Sequence, residues 1–288
     1  MSTIKTTKLF FLTLSISLFI SCKQKKSSST EENSIVNKEA FEPITNKNKE
    51  LNIEDYFPGS NFMKIVFAEN NELNLTDAQL RLFTEWRTEN QSKVADKNRK
   101  IADLEIELKT LSVEGSDMVK LLDQAQKINI LRIEVAQTKV DCRQLLLDNL
   151  EPQQWQTLVS AYEKEYPFKE RTKMMDVITH VNPVPNYMSV INANISELSI
   201  TPSQKKVLDS WSDENHSKMM KMANAIIAME KEIYETSLKE AAKESILTKF
   251  EEINSIRTQI LEKKTNCRNL VKKTISEKQW AVLVSKIK

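Results

Sequence analysis

Glycine and histidine are nearly absent from this sequence, whose 288 residues contain two of each. With Gly59 and Gly115 as the only glycines, the chain has little from which to build a glycine-rich phosphate loop. His180 and His216 belong to no Ser/His/Asp or Cys/His arrangement typical of nucleophilic catalysis. We therefore expect a protein that is not an enzyme and that carries no cofactor. His180, beside the sequence Asn-Pro-Val-Pro, is expected to be an exposed linker residue.

The N-terminal apolar run, residues 9–20, is too short to span a bilayer. It follows Lys5 and Lys8, a pattern typical of a secretory signal. The run ends in Phe-Ile-Ser-Cys22, which resembles the lipobox of bacterial lipoproteins. The resemblance implies a signal peptide at residues 1–21, lipidation of Cys22, and a lipid-anchored protein that faces the periplasm from either membrane of the cell envelope. An ordinary cleaved signal or an uncleaved anchor, with Cys22 free, is the alternative.

Residues 22–52 contain few large apolar side chains and are rich in Ser, Lys, Asn and Glu. Such a composition cannot bury a core, so we expect a disordered tether. The whole chain has 42 basic and 40 acidic side chains, a formal net charge of +2, and removal of Lys5 and Lys8 with the signal leaves a neutral mature chain. A neutral chain has no electrostatic basis for binding nucleic acid, and we expect membrane contact through the N-terminal lipid alone.

Sustained alternation of apolar and polar residues, the signal of a β-strand, is lacking as well. Apolar residues recur instead at three-four spacing on charged segments, as in Ile101, Leu104, Leu108 and Leu111. This spacing is typical of amphipathic helices. The sequence therefore predicts an all-α fold.

The chain repeats itself with an offset of 125 residues. The stretch LTDAQLRLFTEW begins at Leu75, and ITPSQKKVLDSW begins at Ile200. The same offset superimposes Cys142 on Cys267. Two copies are too few for a solenoid, in which about three or more units build a continuous core. The repeat therefore indicates a fused dimer.

The same short motif marks the starts of helices in both copies. Thr76 is a good N-cap, and Gln79, three residues later, can reach back to the N–H of the cap, which makes a capping box. Thr201 and Gln204 repeat the box, with proline at the first helical position. Weaker capping boxes begin at Glu151 and Ser276, and their third residues after the cap are Gln154 and Gln279, each followed by a tryptophan. The motif residues are Leu75, Thr76, Gln79, Gln154, Trp155, Ile200, Thr201, Gln204, Gln279 and Trp280.

Two long amphipathic segments lie between the boxes of each copy, and the pattern breaks near Gly115 and again near Ser237. Two helices of this length joined by a short turn form an antiparallel hairpin. A shorter apolar segment precedes each hairpin, so each copy is expected to contain a short, a long, a long and a short helix. We predict the first repeat at residues 53–167, a linker at 168–186 and the second repeat at 187–288.

Paired L-T-x-x-Q motifs that flank a long helical hairpin resemble those of the Spy/CpxP family of periplasmic proteins. Leu75-Thr76-x-x-Gln79 matches the motif, Ile200-Thr201-x-x-Gln204 nearly does, and the boxes that end at Gln154 and Gln279 change the threonine. Members of that family are cradle-shaped homodimers that hold unfolded proteins on a concave face without ATP. The resemblance implies two tandem hairpins that form an intrachain pseudo-dimer, a monomer with pseudo-twofold symmetry.

The function implied by this resemblance is an envelope-stress chaperone whose partners are unfolded or misfolded client proteins. Relatives of the CnrX and ZraP type bind or sense metals, so a periplasmic metal-binding or metal-sensing protein is the alternative. The residues that would serve it are His216, Met219 and Met220, which share one helix face and offer the imidazole and thioether ligands that suit Cu(I). The first copy lacks these residues, and methionine is a usual filler of apolar contacts, so packing is the competing interpretation.

Cys142 and Cys267 both lie on apolar stripes. A buried free cysteine behaves as a small hydrophobic residue, which is our first interpretation. An exported compartment also permits a disulfide, and two equivalent positions in a pseudo-twofold pair could meet at the axis. A shared metal is the third alternative.

Overall fold

The structure is a computed structural model that describes residues 59–68 and 72–287, and it contains no β-strand within those ranges. The prediction of an all-α fold is confirmed. The signal peptide, Cys22 and the tether of residues 22–52 lie outside the described residues. The helices are α1 (Met63–Val66), α2 (Asp77–Glu114), α3 (Met118–Asn149), α4 (Pro152–Glu165), α5 (Met174–Val181), α6 (Tyr187–Ala193), α7 (Pro202–Ser237), α8 (Lys243–Thr274) and α9 (Glu277–Ser285).

Helices in corresponding positions start 125 residues apart. These starts are Asp77 and Pro202 for α2 and α7, Met118 and Lys243 for α3 and α8, and Pro152 and Glu277 for α4 and α9. The longest of these helices, α2 and α7, contain 38 and 36 residues. The helix starts therefore coincide in both parts of the chain, although Asp117 caps α3 with its side chain and Ala242, before α8, has no side chain that can do so.

The turn between α2 and α3 depends on Gly115. Its φ of +90° lies in the left-handed region, which side chains with a Cβ rarely adopt. The N–H groups of Gly115 and Ser116 donate to the carbonyl oxygens of Ser112 and Leu111 at 3.2 and 3.0 Å. These bonds satisfy carbonyls that the end of a helix leaves open. The turn after α7 has no glycine and occupies residues 238–242 before α8 begins.

The four long helices carry most of the packing. Helix α2 packs against α3, α7 packs against α8, and α3 packs against α8. A larger apolar cluster takes buried residues from α2, α3 and α5–α9, and a smaller one takes them from α1, α4, the start of α2 and the end of α3. In the part of the chain that the structure describes, no helix combines the length and the apolar character needed to cross a membrane.

The segment predicted as a linker contains helix α5, which packs against α7. Val177, Ile178 and Val181 lie on one face of α5 and are buried. The expectation that His180 is exposed is wrong, because α5 brings its side chain against Glu230 and leaves it only 10% exposed. Residues 168–186 are therefore partly a packed element of the fold.

Candidate functional site

Capping boxes start helices α2, α4, α7 and α9. Thr76 Oγ1 accepts a hydrogen bond from the N–H of Gln79 at 3.2 Å, and Gln79 Oε1 accepts one from the N–H of Thr76 at 2.9 Å. Thr201 and Gln204 repeat these contacts at 3.3 and 3.0 Å. The boxes of α4 and α9 pair Glu151 with Gln154 and Ser276 with Gln279.

The glutamines of these boxes also bind each other in pairs. Gln79 Nε2 donates to Gln154 Oε1 at 2.8 Å, and Gln154 Nε2 donates to Gln79 Oε1 at 3.2 Å. Gln204 and Gln279 form the same reciprocal pair at 2.9 and 3.1 Å. Each glutamine pair therefore ties the start of a long helix to the start of the short helix that follows the next long one.

Each glutamine pair also holds the loop that precedes the long helix. Gln154 Nε2 donates to the carbonyl oxygens of Leu73 and Asn74 at 3.1 and 3.3 Å, and Gln279 Nε2 donates to those of Leu198 and Ser199 at 3.0 and 3.1 Å. Asn74 and Ser199 both have a φ of +49°, which is uncommon for residues other than glycine. Surrounding contacts must hold such a conformation, and the glutamine amides supply them.

Arg143 on α3 reaches the turn between α7 and α8, and Arg268 on α8 reaches the turn between α2 and α3. Arg143 Nε donates to the carbonyl oxygen of Ser237 at 2.8 Å, and its Nη2 binds a second carbonyl of that turn. Arg268 Nη1 donates to the carbonyl oxygen of Ser112 at 3.1 Å, and its Nη2 binds a second carbonyl at 2.7 Å. Both arginines are almost fully buried, and burial lowers the pKa of each guanidinium. The carbonyl oxygens of the turns thus replace the water molecules that would bind these guanidinium groups if they were exposed.

A partly buried ion pair joins α2 to α3, and a buried one joins α7 to α8. Arg132 contacts Glu105, and Arg257 Nη2 lies 2.8 Å from Glu230 Oε1. His180 Nε2 lies 2.7 Å from Glu230 Oε2. Burial opposes ionisation of Glu230, but the hydrogen bond and charge of His180 and the charge of Arg257 outweigh it, so the pKa of Glu230 lies below its ordinary value. Helix α5 is therefore attached to α7 through a buried carboxylate.

Lys264 on α8 holds the end of α5 from the other side. Its Nζ donates to the carbonyl oxygens of Asn182 and Val184 at 2.9 and 2.7 Å, and lies 3.5 Å from that of Ile178. Burial lowers the pKa of Lys264 from its ordinary 10.5 to about 7. The lysine thus caps carbonyls at the C-terminal end of α5, although burial disfavours its charge.

Cys142 and Cys267 are buried free thiols, which agrees with the first interpretation from the sequence. Cys142 belongs to the smaller apolar cluster and Cys267 to the larger one. The two cysteines are unbridged in the structure and belong to different apolar clusters, so the disulfide considered as an alternative is not formed. Burial raises the pKa of each thiol to about 12.

The three residues of the metal alternative have different surroundings. His216 is exposed, Met219 is partly buried and packs against the larger apolar cluster, and Met220 is partly buried. Met222 also packs against that cluster. The side chain of Met219 therefore contributes to core packing while remaining partly exposed.

The first halves of α2 and α7 are packed less fully than the second halves, since no residue in 84–97 or 209–222 is buried. Apolar side chains are nevertheless present there and partly buried. Asn90 and Asn215 each donate to the carbonyl oxygen of the tryptophan one turn earlier, at 3.0 Å in both helices. We call these surfaces the half-exposed stripes; their residues are Trp86, Asn90 and Val94 on α2, and Trp211, Asn215, Met219 and Met222 on α7.

Sequence reasoning missed the glutamine pairs, the His180–Glu230 contact and the role of Lys264. A signal for the buried charges was present, because the offset of 125 residues superimposes Glu105 on Glu230. The same offset matches Arg132 with Arg257 and Lys139 with Lys264. Charged residues repeated on otherwise apolar stripes indicate buried polar contacts.

No protein-family model matches this chain, and neither a curated protein nor a solved structure is significantly similar to it.

Proposed function

We propose that the chain is an ATP-independent chaperone of the cell envelope that holds unfolded or aggregation-prone proteins on a concave, cradle-like helical surface. The observation that carries the proposal is the presence of half-exposed stripes at equivalent places on α2 and α7. The apolar residues of the stripes pack against the core but remain partly exposed, and a chaperone of this kind needs such accessible apolar surface. It also needs that surface to persist without unfolding, and the capping boxes and glutamine pairs stabilise the ends of the helices that carry it.

In this proposal, α1–α4 and α6–α9 are tandem hairpin halves of an intrachain pseudo-dimer. The reciprocal arginine contacts support it, since Arg143 binds the turn after α7 and Arg268 binds the turn after α2. In a twofold interface, residue i of one half contacts residue j of the other, and j contacts i. Ser237 and Ser112, which the same offset matches, each also bind a hydroxyl of the other half: Ser60 Oγ lies 2.9 Å from Ser237 Oγ and Tyr187 Oη lies 3.1 Å from Ser112 Oγ, although Ser60 and Tyr187 are not themselves equivalent positions.

The chemistry of the half-exposed stripes suits varied clients. Tryptophan offers a large apolar surface, and methionine is flexible and polarizable, so both can contact unrelated sequences. Charged residues flank the stripes, among them Arg87, Lys93 and Lys218. We infer that apolar contact provides most of the client affinity and that surface charge assists it.

The location follows from the N-terminal sequence. In this proposal, Cys22 carries the lipid anchor, and residues 22–52 connect it to the helical part in the periplasm. A chaperone without ATP suits that compartment, and a link to envelope stress follows from the resemblance to the Spy/CpxP family.

Suppression of client aggregation tests the proposal. The mature chain at near-equal molar ratio is expected to suppress the aggregation of several unrelated unfolding proteins, measured by light scattering without ATP. Suppression should weaken partly, but not wholly, when salt screens the charged contribution. Failure with every client, while circular dichroism shows folded helices, would refute the chaperone function. Cu(I)-dependent change of shape without suppression would favour the metal-sensing alternative.

A further inference from the structure

A groove of about 380 Å³ lies beside Trp155, where the end of α3 and the start of α4 meet the turn after α7. Its apolar lining comes from Leu147, Leu150, Pro152, Trp155, Ala241 and Ala242. Its polar lining comes from Gln144 and from Glu240, which is exposed. The groove therefore combines an aromatic wall with an accessible carboxylate.

The corresponding place at the other end of the repeat is occupied by Lys272, which stands 125 residues after Leu147. Lys272 Nζ lies 5.3 Å from the centroid of the Trp280 ring, within the range of a cation–π contact. The same ammonium lies 2.5 Å from the position that a Cβ on Gly115 would take. The absence of a side chain at Gly115 therefore makes room for the lysine.

The open groove keeps the tryptophan of the filled one and differs from it at most other lining positions, of which two bear on the binding of a cation. Leu147 replaces Lys272, so the lysine that lies over Trp280 has no counterpart at the equivalent position beside Trp155. Glu240 stands at the sequence position equivalent to Gly115, and its side chain lines the open groove. A cationic side chain from another polypeptide could place its aliphatic stem on Leu147 and Trp155 and its charge near Glu240.

We propose that the groove beside Trp155 binds a lysine or arginine side chain of an unfolded polypeptide. The inference rests on the proposed function, because the polypeptide is taken to be the client. It adds a preference that the half-exposed stripes do not provide, namely for a basic residue with apolar neighbours. The chain itself contains the precedent for such an occupant in the contact between Lys272 and Trp280.

Peptide binding to the mature chain tests the inference. The probe is a fluorescein-labelled decapeptide with one lysine between leucines, compared with the same peptide carrying norleucine or glutamate instead. We expect the wild type to bind the lysine peptide about tenfold more tightly than the norleucine peptide, measured by fluorescence anisotropy. Glu240→Gln should remove most of that preference, whereas Glu251→Gln, which changes the same charge at an exposed site on α8, should retain it.

A second variant imitates the filled groove. Leu147→Lys should place an internal lysine over Trp155, as Lys272 does over Trp280, and abolish the preference for the lysine peptide. If this variant is unfolded by circular dichroism, the Glu240→Gln result alone decides. Equal affinity for the lysine and norleucine peptides, a preference that survives Glu240→Gln, or no binding of either peptide overturns the inference.

The outcomes separate this inference from the proposed function. A wild type that suppresses client aggregation but does not prefer the lysine peptide remains a chaperone without the proposed groove specificity. If the wild type prefers the lysine peptide but suppresses no aggregation, the groove specificity stands and the chaperone function is refuted.

Discussion

The side-chain amides of Gln79 and Gln154 hydrogen-bond to each other across 75 positions of the chain. The Oε1 atom of each glutamine also accepts the N–H of its own N-cap residue, Thr76 or Glu151. A glutamate could close the capping box as well as a glutamine does. It has no Nε2 donor, however, so the pair between the two boxes requires the amide.

Gln79→Glu should therefore destabilise the protein although the capping box is retained. The change removes the hydrogen bonds that Gln79 Nε2 donates to the carbonyl oxygen of Asn149 at 2.7 Å and to Gln154 Oε1 at 2.8 Å. It also places a carboxylate against two oxygen acceptors. At about 1 kcal/mol per lost hydrogen bond, the free energy of unfolding should fall by about 2 kcal/mol, measured by urea denaturation at pH 7.

Two control variants distinguish the stability that the glutamine pair contributes from the stability that the N-cap contributes. Thr76→Ser keeps an N-cap hydroxyl and should be nearly neutral, while Thr76→Ala should cost about 1 kcal/mol through the cap alone. If Gln79→Glu is as stable as Thr76→Ser, the amide pair does not contribute to stability.

The contrast between these two roles of Gln79 shows what the sequence can predict. The N-cap contact joins residues three positions apart, so the motif alone indicates it. The amide pair joins residues that come together only after α2, α3 and α4 have packed, and no local pattern encodes that distance. Helix starts and the all-α fold could therefore be predicted, whereas the site contacts of Gln154, His180 and Lys264 required the structure.

Helix α5 illustrates a different limit. Val177, Ile178 and Val181 form an apolar face, but the segment is only eight residues long and Pro183 follows it. Isolated helices of this length are marginal, and tertiary packing provides most of their stability. The sequence therefore did not indicate this helix within the predicted linker, because Glu230 and Lys264, which hold α5, are distant in sequence.

Arg143→Met and Arg268→Met should each destabilise the chain strongly. Each change leaves turn carbonyls without the guanidinium that binds them. Because hydrogen bonds from a charged donor are stronger than neutral ones, we expect a loss of about 3 kcal/mol for each variant in urea denaturation. Arg99→Met, at an exposed arginine of α2, is the matched control and should change stability by less than about 0.5 kcal/mol. If the free energy of unfolding falls by less than about 1 kcal/mol in both variants, the contacts of the buried arginines do not contribute the expected stability.

Lys264 should make stability rise with pH above neutrality. Burial lowers its pKa in the folded state to about 7, below the ordinary 10.5 expected for the unfolded chain. Between these values the unfolded state binds more protons than the folded state, so the free energy of unfolding increases with pH. The slope contributed by one such group reaches about 1.4 kcal/mol per pH unit. Urea denaturation between pH 7 and pH 10 measures it.

Lys264→Met should remove that slope, because the variant has no group that titrates at this position. Lys221→Met, at an exposed lysine of α7, should leave the slope unchanged. An identical pH dependence for the wild type and Lys264→Met would show that Lys264 does not titrate in this range.

The buried thiols should be unreactive while the protein is folded. Burial raises the pKa of Cys142 and Cys267 to about 12, so little thiolate is present at pH 8. In a Cys22→Ser background, a thiol reagent should label neither cysteine of the native chain within minutes and should label both in urea. A reductant should leave the urea midpoint unchanged. A native bridge would instead lose about 5 kcal/mol on reduction.

The half-exposed stripes should be the surfaces that touch clients. Gln91 on α2 and His216 on α7 are exposed residues at equivalent positions within residues 84–97 and 209–222. A photo-activated benzoylphenylalanine at either position should form cross-links to an unfolding client, detected by mass shift on denaturing gels. The same probe at Asp123 on α3 or Glu251 on α8, which are also exposed, should form several-fold fewer. Cross-links from His216 alone would restrict the client surface to α7, where Met219 and Met222 lie, and equal yields at all four positions would refute a specific client face.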